Sequence, residues 1–398
     1  MPLPCNVALP RVEHLSRGEV KGESTMFKTR VCDVLGIEYP ILQSPMNWVT
    51  TPELIAAVSN AGGLGILDGN VGNENIPKSI EESAENLRIK IRKTRELTDK
   101  PFGVNFGVKG GPGTSDFDVA RSEAYLKVVL EEHIPVVYSS AGTPEYIVPI
   151  LHEAGIKSVH IVVSVRHAQK AEAAGVDVIA VGGYEAGGHS QGGNEIPVMT
   201  LLPQVGSVVK APIIAGGGVA DARGLVAAFA LGAEGVTMGS RFAATKESRL
   251  HPNMKQAFLE AGDNATIVWG RKALKERARP EQSMWKRLAG RGGSGLGRTL
   301  RNKFTEKYLE LESSGVPVEE VLEFLESYKD PSGMERDRTS AAILGGDMEW
   351  GEVYMGAVSG LINEIKSAGD VVREMVEGVD KILARLEALD TNPTPARS

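Results

Sequence analysis

Cysteine is scarce in this sequence: Cys5 and Cys32 are the whole complement of a 398-residue chain. Two thiols make neither a disulfide framework nor a cysteine-based zinc site, so the expected setting is a reducing cytoplasm. Long apolar runs are missing as well. No stretch reaches the ~18 residues a spanning helix needs. Residues 1–28, which carry Arg11, Glu13, His14 and Arg17, hold no apolar segment of the kind a secretory signal requires. Aromatic residues make up 5%, and neither sign of charge dominates: 44 Lys and Arg stand against 51 Asp and Glu, a formal net charge of −7. A chain of that balance is not built as a whole to bind nucleic acid or another polyanion. The expected partners are a small-molecule substrate and at most a second copy in a homodimer, with no nucleic acid and no membrane.

What the chain has in excess is glycine, 46 residues, over an ordinary globular composition of 42% hydrophobic and 24% charged residues. Glycine-rich turns suit an α/β protein whose backbone must approach a ligand closely. From residue 27 onward short β-rich runs alternate with helical stretches. Strands are expected at 41–43, 64–67, 102–105, 136–139, 158–163, 178–181, 213–216 and 235–238, and helices at 51–61, 76–98, 122–132, 144–154, 165–174, 201–209 and 222–231. Such alternation implies parallel strands joined by right-handed crossovers. Three joints share the form helix, Ala-Gly, strand: Asn60-Ala-Gly-Gly-Leu-Gly65, Glu153-Ala-Gly-Ile156 and Ala173-Ala-Gly-Val-Asp177. A C-cap glycine feeding a buried strand, repeated in this way, favours a (β/α)8 TIM barrel over a doubly wound sheet. A dinucleotide domain would place Gly-x-Gly-x-x-Gly after its first strand, whereas here that strand ends in Gln43-Ser-Pro-Met-Asn47. The expected organisation is an N-terminal extension at 1–26, the barrel at 27–250, a mainly helical C-terminal lid or cap at 251–389 that returns to the barrel, and a frayed tail at 390–398.

In a barrel of this kind the site lies at the carboxyl ends of the strands, with phosphate at the loops after strands seven and eight. Those loops read Ala215-Gly-Gly-Gly-Val219 and Met238-Gly-Ser-Arg241. Glycine lets backbone N–H groups close on phosphate oxygens, and the following helix directs its positive end there. Arg241 either adds charge or reaches over the rim. After strand six comes Gly182-Gly-Tyr-Glu-Ala-Gly-Gly-His189 and then Ser190-Gln-Gly-Gly193. His189, held between glycines at a strand end, is the candidate acid or base; His14, His133, His152, His160, His167 and His251 are read as structural. Pro45, Met46 and Asn47 after strand one, Asn105 after strand three, and Ser140, Ala141 and Gly142 after strand four provide small and amide groups on which a flat polar ring can lie. No carboxylate pair and no His/Cys cluster accompanies them, so metal ligands are lacking, and no Gly-x-Ser-x-Gly elbow occurs. A phosphate anchor, a polar bed and one acid/base leave the difficult step to a cofactor.

Taken in order, Pro40-Ile-Leu-Gln-Ser-Pro-Met46, Ala61-Gly-Gly-Leu-Gly65, Lys100-Pro-Phe-Gly-Val-Asn105, Glu185-Ala-Gly-Gly-His189, Ala215-Gly-Gly-Gly218 and Met238-Gly-Ser-Arg-Phe242 resemble the FMN-dependent nitronate monooxygenase (2-nitropropane dioxygenase) superfamily from about 27 to about 389. That superfamily includes flavin NADH:quinone reductases and flavin-type enoyl thioester reductases. The resemblance implies a TIM barrel holding FMN without a covalent link, with the phosphate at Gly217, Gly218, Gly239 and Ser240. It implies Met46, Asn47, Asn105 and Gly183 around the isoalloxazine ring and His189 on its reactive side. Pro45, Ala141, Gly182, Glu185, Gly188 and Gly216 complete the expected cofactor-binding set, and no metal site is expected.

Two activities follow from this resemblance. In the first, an alkyl nitronate is oxidised with O2 near His189 and no NAD(P)H is needed. In the second, NAD(P)H is a co-substrate and the acceptor is a quinone or an enoyl-CoA or enoyl-ACP thioester. Some features depart from the family's pattern: Ser190-Gln-Gly-Gly-Asn194 after the histidine, the apolar Ile161-Val-Val163 of strand five, the insertion Lys109-Gly-Gly-Pro-Gly-Thr-Ser115, and a basic stretch at 270–303 with eleven Arg or Lys against Glu276 and Glu281. Those cations are read either as a solvated lid or as holders of a nicotinamide or thioester phosphate. A flavin-free sugar-phosphate barrel would need a catalytic Lys or carboxylate at a strand end, where Asn105, Glu185 and His189 are the chief candidates.

Overall fold

The computed structural model describes residues 28–69, 77–108, 116–140, 142–188, 195–270, 296–334 and 336–389. The expected extension at 1–26, the insertion after strand three, most of the basic stretch and the tail at 390–398 fall outside the described residues. Eight short, largely buried runs form one parallel sheet in the order β1-β8-β7-β6-β5-β4-β3-β2. They are β1 (Ile41–Gln43), β2 (Gly65–Asp68), β3 (Phe102–Gly107), β4 (Val136–Ser140), β5 (Lys157–Val162), β6 (Val178–Gly182), β7 (Ile213–Gly216) and β8 (Val236–Met238). A parallel bridge between Leu42 and Leu64 closes the ring: Leu64 N donates to Ile41 O at 3.0 Å, and Gln43 N to Leu64 O at 2.9 Å. The fold is a (β/α)8 TIM barrel.

Side chains alternate across the strands. Leu42, Ile66, Val136, Tyr138, Val159, Val178, Ala180 and Ile214 form one cluster, the barrel interior. Their neighbours Ile41, Ile179, Val181, Ile213 and Val236 pack outward under the helices. The outer layer is α2 (Pro52–Asn60), α3 (Ile80–Leu97), α4 (Asp116–Glu131), α5 (Ile147–Glu153), α6 (Val165–Ala173), α7 (Val198–Gly206) and α8 (Ala222–Ala230). The C-terminal helix Ala368–Glu387 packs Val371, Val372, Met375, Val376 and Val379 into the same outer core and contacts α2 and α8. It occupies the eighth helical position, so the chain leaves the barrel after β8 and comes back to finish it. The short α1 (Arg30–Leu35) contributes Val31, Cys32 and Leu35 to the interior cluster.

Element boundaries moved where a cap was decisive. Helix α3 starts at Ile80 rather than 76 because Ser79 Oγ accepts Glu82 N at 3.1 Å. Helix α7 starts at Val198 rather than 201, directly behind Pro197 and with the Glu185 carboxylate on its first N–H. Helix α4 begins at Asp116, six residues before the expected 122. The joint glycines Gly62, Gly155 and Gly175 take φ of +91°, +73° and +85°, the left-handed caps that their repetition implied. The region after β8 is mainly helical but carries one strand pair that was not expected. Besides α9 (Ser240–Ala243), α10 (Pro252–Leu259) and the helices Lys303–Ser313 and Val318–Glu326, it contains an antiparallel pair, β9 (Thr266–Trp269) and β10 (Gly297–Leu300). The β-branched run Thr266-Ile-Val ahead of Trp269 favours a strand, and Gly297 is what lets β10 lie against the Trp269 ring, 3.1 Å from where a Cβ would stand. Among the described residues no helix is long and apolar enough to cross a membrane.

One ion-pair cluster ties α3 to the end of α4. The Glu132 side chain, 7% exposed, receives Arg88 at 3.1 Å, Arg92 at 2.9 Å and Arg95 at 2.9 Å. Burial alone would raise this carboxyl, but the hydrogen bonds from Arg92 and Arg88 and the charges around it outweigh burial and hold it below its ordinary value. A depressed folded-state pKa contributes stability above the unfolded value of about 4.3 and loses it as pH falls below. Glu132→Gln is therefore expected to destabilise the fold by ~2 kcal/mol near neutral pH, less than a fully buried pair because Arg92 and Arg95 are partly solvated. In urea titrations the difference from wild type should shrink as pH drops through 4; a gap that stays constant would remove the ionic explanation.

Candidate active site

Two consecutive strand ends are built of backbone rather than side chain. After β7, Gly217 and Gly218 take φ of +90° and +75°, a region open to glycine at little cost. After β8, Gly239 precedes α9, whose first residue is Ser240. Among the described residues the N–H groups of Gly217, Gly218, Gly239 and Ser240 have no backbone acceptor. The loops approach one another closely. A Cβ on Gly217 would stand 2.9 Å from Ala186 N, and one on Gly183 would stand 2.5 Å from Glu185 Oε2. A Cβ on Gly239 would find only Met46 Sδ at 3.8 Å and Ser44 at 4.0 Å, so room remains on that side. Open N–H donors on two adjacent glycine turns fit a phosphate group, which is the part of FMN the resemblance placed there.

The loop after β6 is clamped from above. Gly188, at φ +77°, exchanges two hydrogen bonds with Arg298 of β10, N to O and O to N, both 3.0 Å. Arg298 is 9% exposed; its Nε donates to Tyr184 O at 3.1 Å and its Nη1 to Thr266 Oγ1 at 3.1 Å. Its guanidinium lies 4.8 Å from the centre of the Tyr184 ring. Burial pulls the guanidinium pKa below its usual value, with the Tyr184 and Glu185 charges opposing. Glu185 points its carboxylate at Val198 N, 2.9 Å away, on the first turn of α7, while its carbonyl accepts Ala357 N at 2.9 Å. Ser240 Oγ accepts Gly356 N at 2.8 Å, which leaves its hydroxyl hydrogen to donate elsewhere. Arg241 resolves its two options toward the rim: it is buried, and Nη2 donates to the carbonyls of Ala244 at 2.8 Å and Glu364 at 3.0 Å.

The opposite half of the mouth is polar. After β1, Pro45, Met46 and Asn47 lead into Trp48, a buried non-glycine residue at φ +67°; such a conformation is uncommon and concentrates at ligand sites. The Asn47 Oδ1 atom is buried with no hydrogen-bond partner among the described residues, an acceptor waiting for a donor. On β3, Asn105 faces inward at 7% exposure. Its Nδ2 donates to Asp68 Oδ2 at 2.8 Å, and Ser140 Oγ donates to its Oδ1 at 3.4 Å. Asp68 was not among the candidates. Its signal was a lone acid closing the buried run Gly65-Ile-Leu-Asp68 at the carboxyl end of β2. His160 is structural, as expected: at a position facing away from the interior, its Nδ1 lies 2.8 Å from Ser139 Oγ, and burial lowers it to about 4, which keeps it neutral.

The structure thus gathers Pro45, Met46, Asn47, Asn105, Gly182, Gly183, Glu185, Gly188, Gly216, Gly217, Gly218, Gly239 and Ser240 at one end of the barrel. Ala141 and His189 lie outside the described residues; Ala141 follows Ser140 at the end of β4, and His189 follows Gly188 in the loop after β6. Of the basic stretch, Arg298 sits beside the mouth and Lys303 pairs with Glu349 at 2.7 Å; 271–295 lie outside the described residues.

Comparison with known proteins agrees with this geometry. A family model described as nitronate monooxygenase matches residues 28–378. A curated (3aS,4S,5R,7aS)-5-hydroxy-7a-methyl-1-oxo-octahydro-1H-indene-4-carboxyl-CoA dehydrogenase of Mycobacterium tuberculosis (strain ATCC 25618 / H37Rv) is 29% identical over 359 residues, 88% of this chain and 95% of the relative. A probable nitronate monooxygenase of Staphylococcus aureus (strain JH9) is 33% identical over 275 residues, 61% of this chain and 75% of the relative. The solved structure of FabK from Thermotoga maritima is similar with a TM-score of 0.73 at 34% identity, covering 91% of this chain and 99% of FabK.

The phosphate cradle makes a direct prediction. A Cβ at Gly218 would lie 3.1 Å from Val198 Cγ1 and 3.7 Å from Glu185 Oε1, so Gly218→Asp sets a new carboxylate against an existing one and against any phosphate. The purified variant is expected to be folded by circular dichroism and colourless. Full flavin absorbance at 450 nm (roughly the ordinary flavin band, set by the cofactor) would put the phosphate elsewhere.

Proposed function

The chain belongs to the nitronate monooxygenase family, and from that membership we propose that it is an FMN-dependent oxidoreductase that oxidises alkyl nitronates with O2. The observation that carries the cofactor assignment is the set of open N–H donors at Gly217, Gly218, Gly239 and Ser240 on two consecutive strand ends. When bound, FMN supplies the electron-transfer chemistry that no side chain at this mouth can perform. The chain's own work is to bind, orient and move a proton. The glycine turns and the Ser240 hydroxyl hold the phosphate. Pro45, Met46, Asn47, Asn105, Gly182, Gly183 and Gly216 form the bed of the ring, with Asn47 Oδ1 as an acceptor for a ring N–H.

His189 follows Gly188, the residue bonded on both sides to Arg298, and is assigned to the substrate side as the group that holds or exchanges a proton. Arg298 adds a buried positive charge there whose hydrogen bonds go to a carbonyl and a hydroxyl rather than to a carboxylate. An anionic substrate such as a nitronate suits that field. A second reading, reduction of a CoA thioester at the expense of NAD(P)H, is favoured by one observation: the relative aligned over 88% of this chain and 95% of its own length is named for a carboxyl-CoA substrate.

Anaerobic visible spectra separate the two. Under the nitronate reading the flavin band persists with NADH or NADPH and bleaches with propane-2-nitronate; bleaching by a nicotinamide alone would transfer the assignment to the reductase. In His189→Asn, turnover should fall on the order of 10²–10⁴-fold, the usual worth of a positioned acid or base, while FMN content stays at the wild-type level. Wild-type turnover in that variant would remove His189 from the chemistry.

A further inference from the structure

We infer that Asp68 is a positioning residue of the cofactor bed that fixes the Asn105 amide and sets the reduction potential of the bound flavin; the inference rests on the FMN reading above. Asp68 ends β2 and pairs in register with Asn105 on β3. It shares the inward parity of Ile66, two residues earlier, which belongs to the barrel interior. Both residues are buried, at 6% and 7% exposure. The amide is held at both ends: Ser140 Oγ on β4 donates to Oδ1 at 3.4 Å, and Nδ2 donates to Asp68 Oδ2 at 2.8 Å. The backbone is held as well, because Gly69 N donates to Asn105 O at 2.6 Å. That contact needs glycine: a Cβ on Gly69 would stand 2.8 Å from the same oxygen.

This line of bonds across three strands fixes which way the amide faces. A hydroxyl that donates to Oδ1 turns the NH2 group toward Asp68, whose Oδ2 then accepts one of its hydrogens. One amide hydrogen and one lone pair of Asn105 remain for a ligand. A carboxylate in that position has a second consequence. Reduction of a flavin adds electrons and, near neutral pH, tends to leave negative charge on the ring. A fixed negative charge nearby opposes that change. The polar half of the mouth therefore lowers the potential, and reduced flavin is left a stronger donor to its acceptor. No sequence feature beyond one acid at a strand end announces this, since the effect depends on the β2–β3 register.

The test is a spectroelectrochemical titration of the FMN-loaded protein against a reference dye. Asp68→Asn preserves shape and removes charge. It is expected to keep FMN and to raise the midpoint potential, seen as about ten-fold more reduced flavin at a fixed poise, the order expected for one partly screened charge. Asp68→Glu, which keeps the charge, is expected to titrate close to wild type, and it serves as the deciding variant if Asp68→Asn fails to load flavin. An unchanged potential in loaded Asp68→Asn, or an upward shift of the same size in Asp68→Glu, overturns the inference while the FMN reading stands. Wild-type protein that carries no FMN and binds none overturns the FMN reading itself.

Discussion

The bridge between Leu42 and Leu64 is the contact on which the site depends, because it closes the sheet and so fixes the parity of every strand end. In an open sheet, a slip of one residue would turn each strand's inner set outward; in a closed ring of eight, one strand cannot slip alone. Parity then distributes the chemistry. The last inward side chains of β2, β3 and β4 are those of Asp68, Asn105 and Ser140, and Asn105 bonds to the other two. The corresponding positions of β6 and β7 are Gly182 and Gly216, paired in register. One half of the mouth thus presents polar side chains and the other presents bare backbone. A ligand with a flat polar ring and a phosphate is divided in the same way, and its phosphate belongs on the backbone half, where N–H groups are exposed at the glycine turns.

The region between β8 and the C-terminal helix is joined to the site at several points, through the backbone of the loops it supports and through the Ser240 hydroxyl. Arg298 pairs with Gly188, Gly356 N reaches Ser240 Oγ, and Ala357 N reaches Glu185 O. Each of the loops so fixed follows a strand whose end lines the mouth. Because the same excursion must return Ala368–Glu387 to the gap between α2 and α8, the outer core can be completed only when the cap is in place. Barrel stability and site geometry are therefore coupled, and a cap residue far in sequence from the glycine turns can influence what they bind. Among the described residues, buried arginines anchor this excursion through carbonyls and rings: Arg241 holds two carbonyls, and Arg338 donates to Trp350 O and Phe324 O beneath the rings of Phe304, Phe324 and Tyr328. Carbonyl acceptors and aromatic faces offset the desolvation of a guanidinium, and the geometry they impose is directional.

Much of this was legible in the sequence because barrel strands and their joints obey local rules. Eight buried runs, left-handed glycines at the helix ends, the glycine pair after strand seven and the Gly-Ser step after strand eight are short-range signals, and each kept its place in the structure. What escaped was non-local. Asp68 gains its meaning only opposite Asn105, a register 37 residues away in sequence. Glu185 reads as a ligand-facing acid in its motif, yet its carboxylate caps α7, because the turn of Gly183 brings it onto Val198 N. The β9–β10 pair was missed because neither strand is long enough to show alternation, and its partner edges come from Gly188 and Tyr354, remote in sequence.

The same division separates what the family determines from what it leaves open. The groups proposed to hold the cofactor are strand ends and tight glycine turns, whose positions follow from barrel closure and tolerate little change; a Cβ on Gly183 or Gly217 would meet atoms at 2.5 Å or 2.9 Å. The groups proposed to face the substrate sit on the 182–188 loop and the β9–β10 pair, which are held together by the Gly188–Arg298 bonds and the Tyr184–Arg298 stacking. Loops on a rigid scaffold can vary without disturbing the barrel. Arg298 stands on the boundary between the two layers, since its backbone pairs with Gly188 while its buried guanidinium lies over the Tyr184 ring.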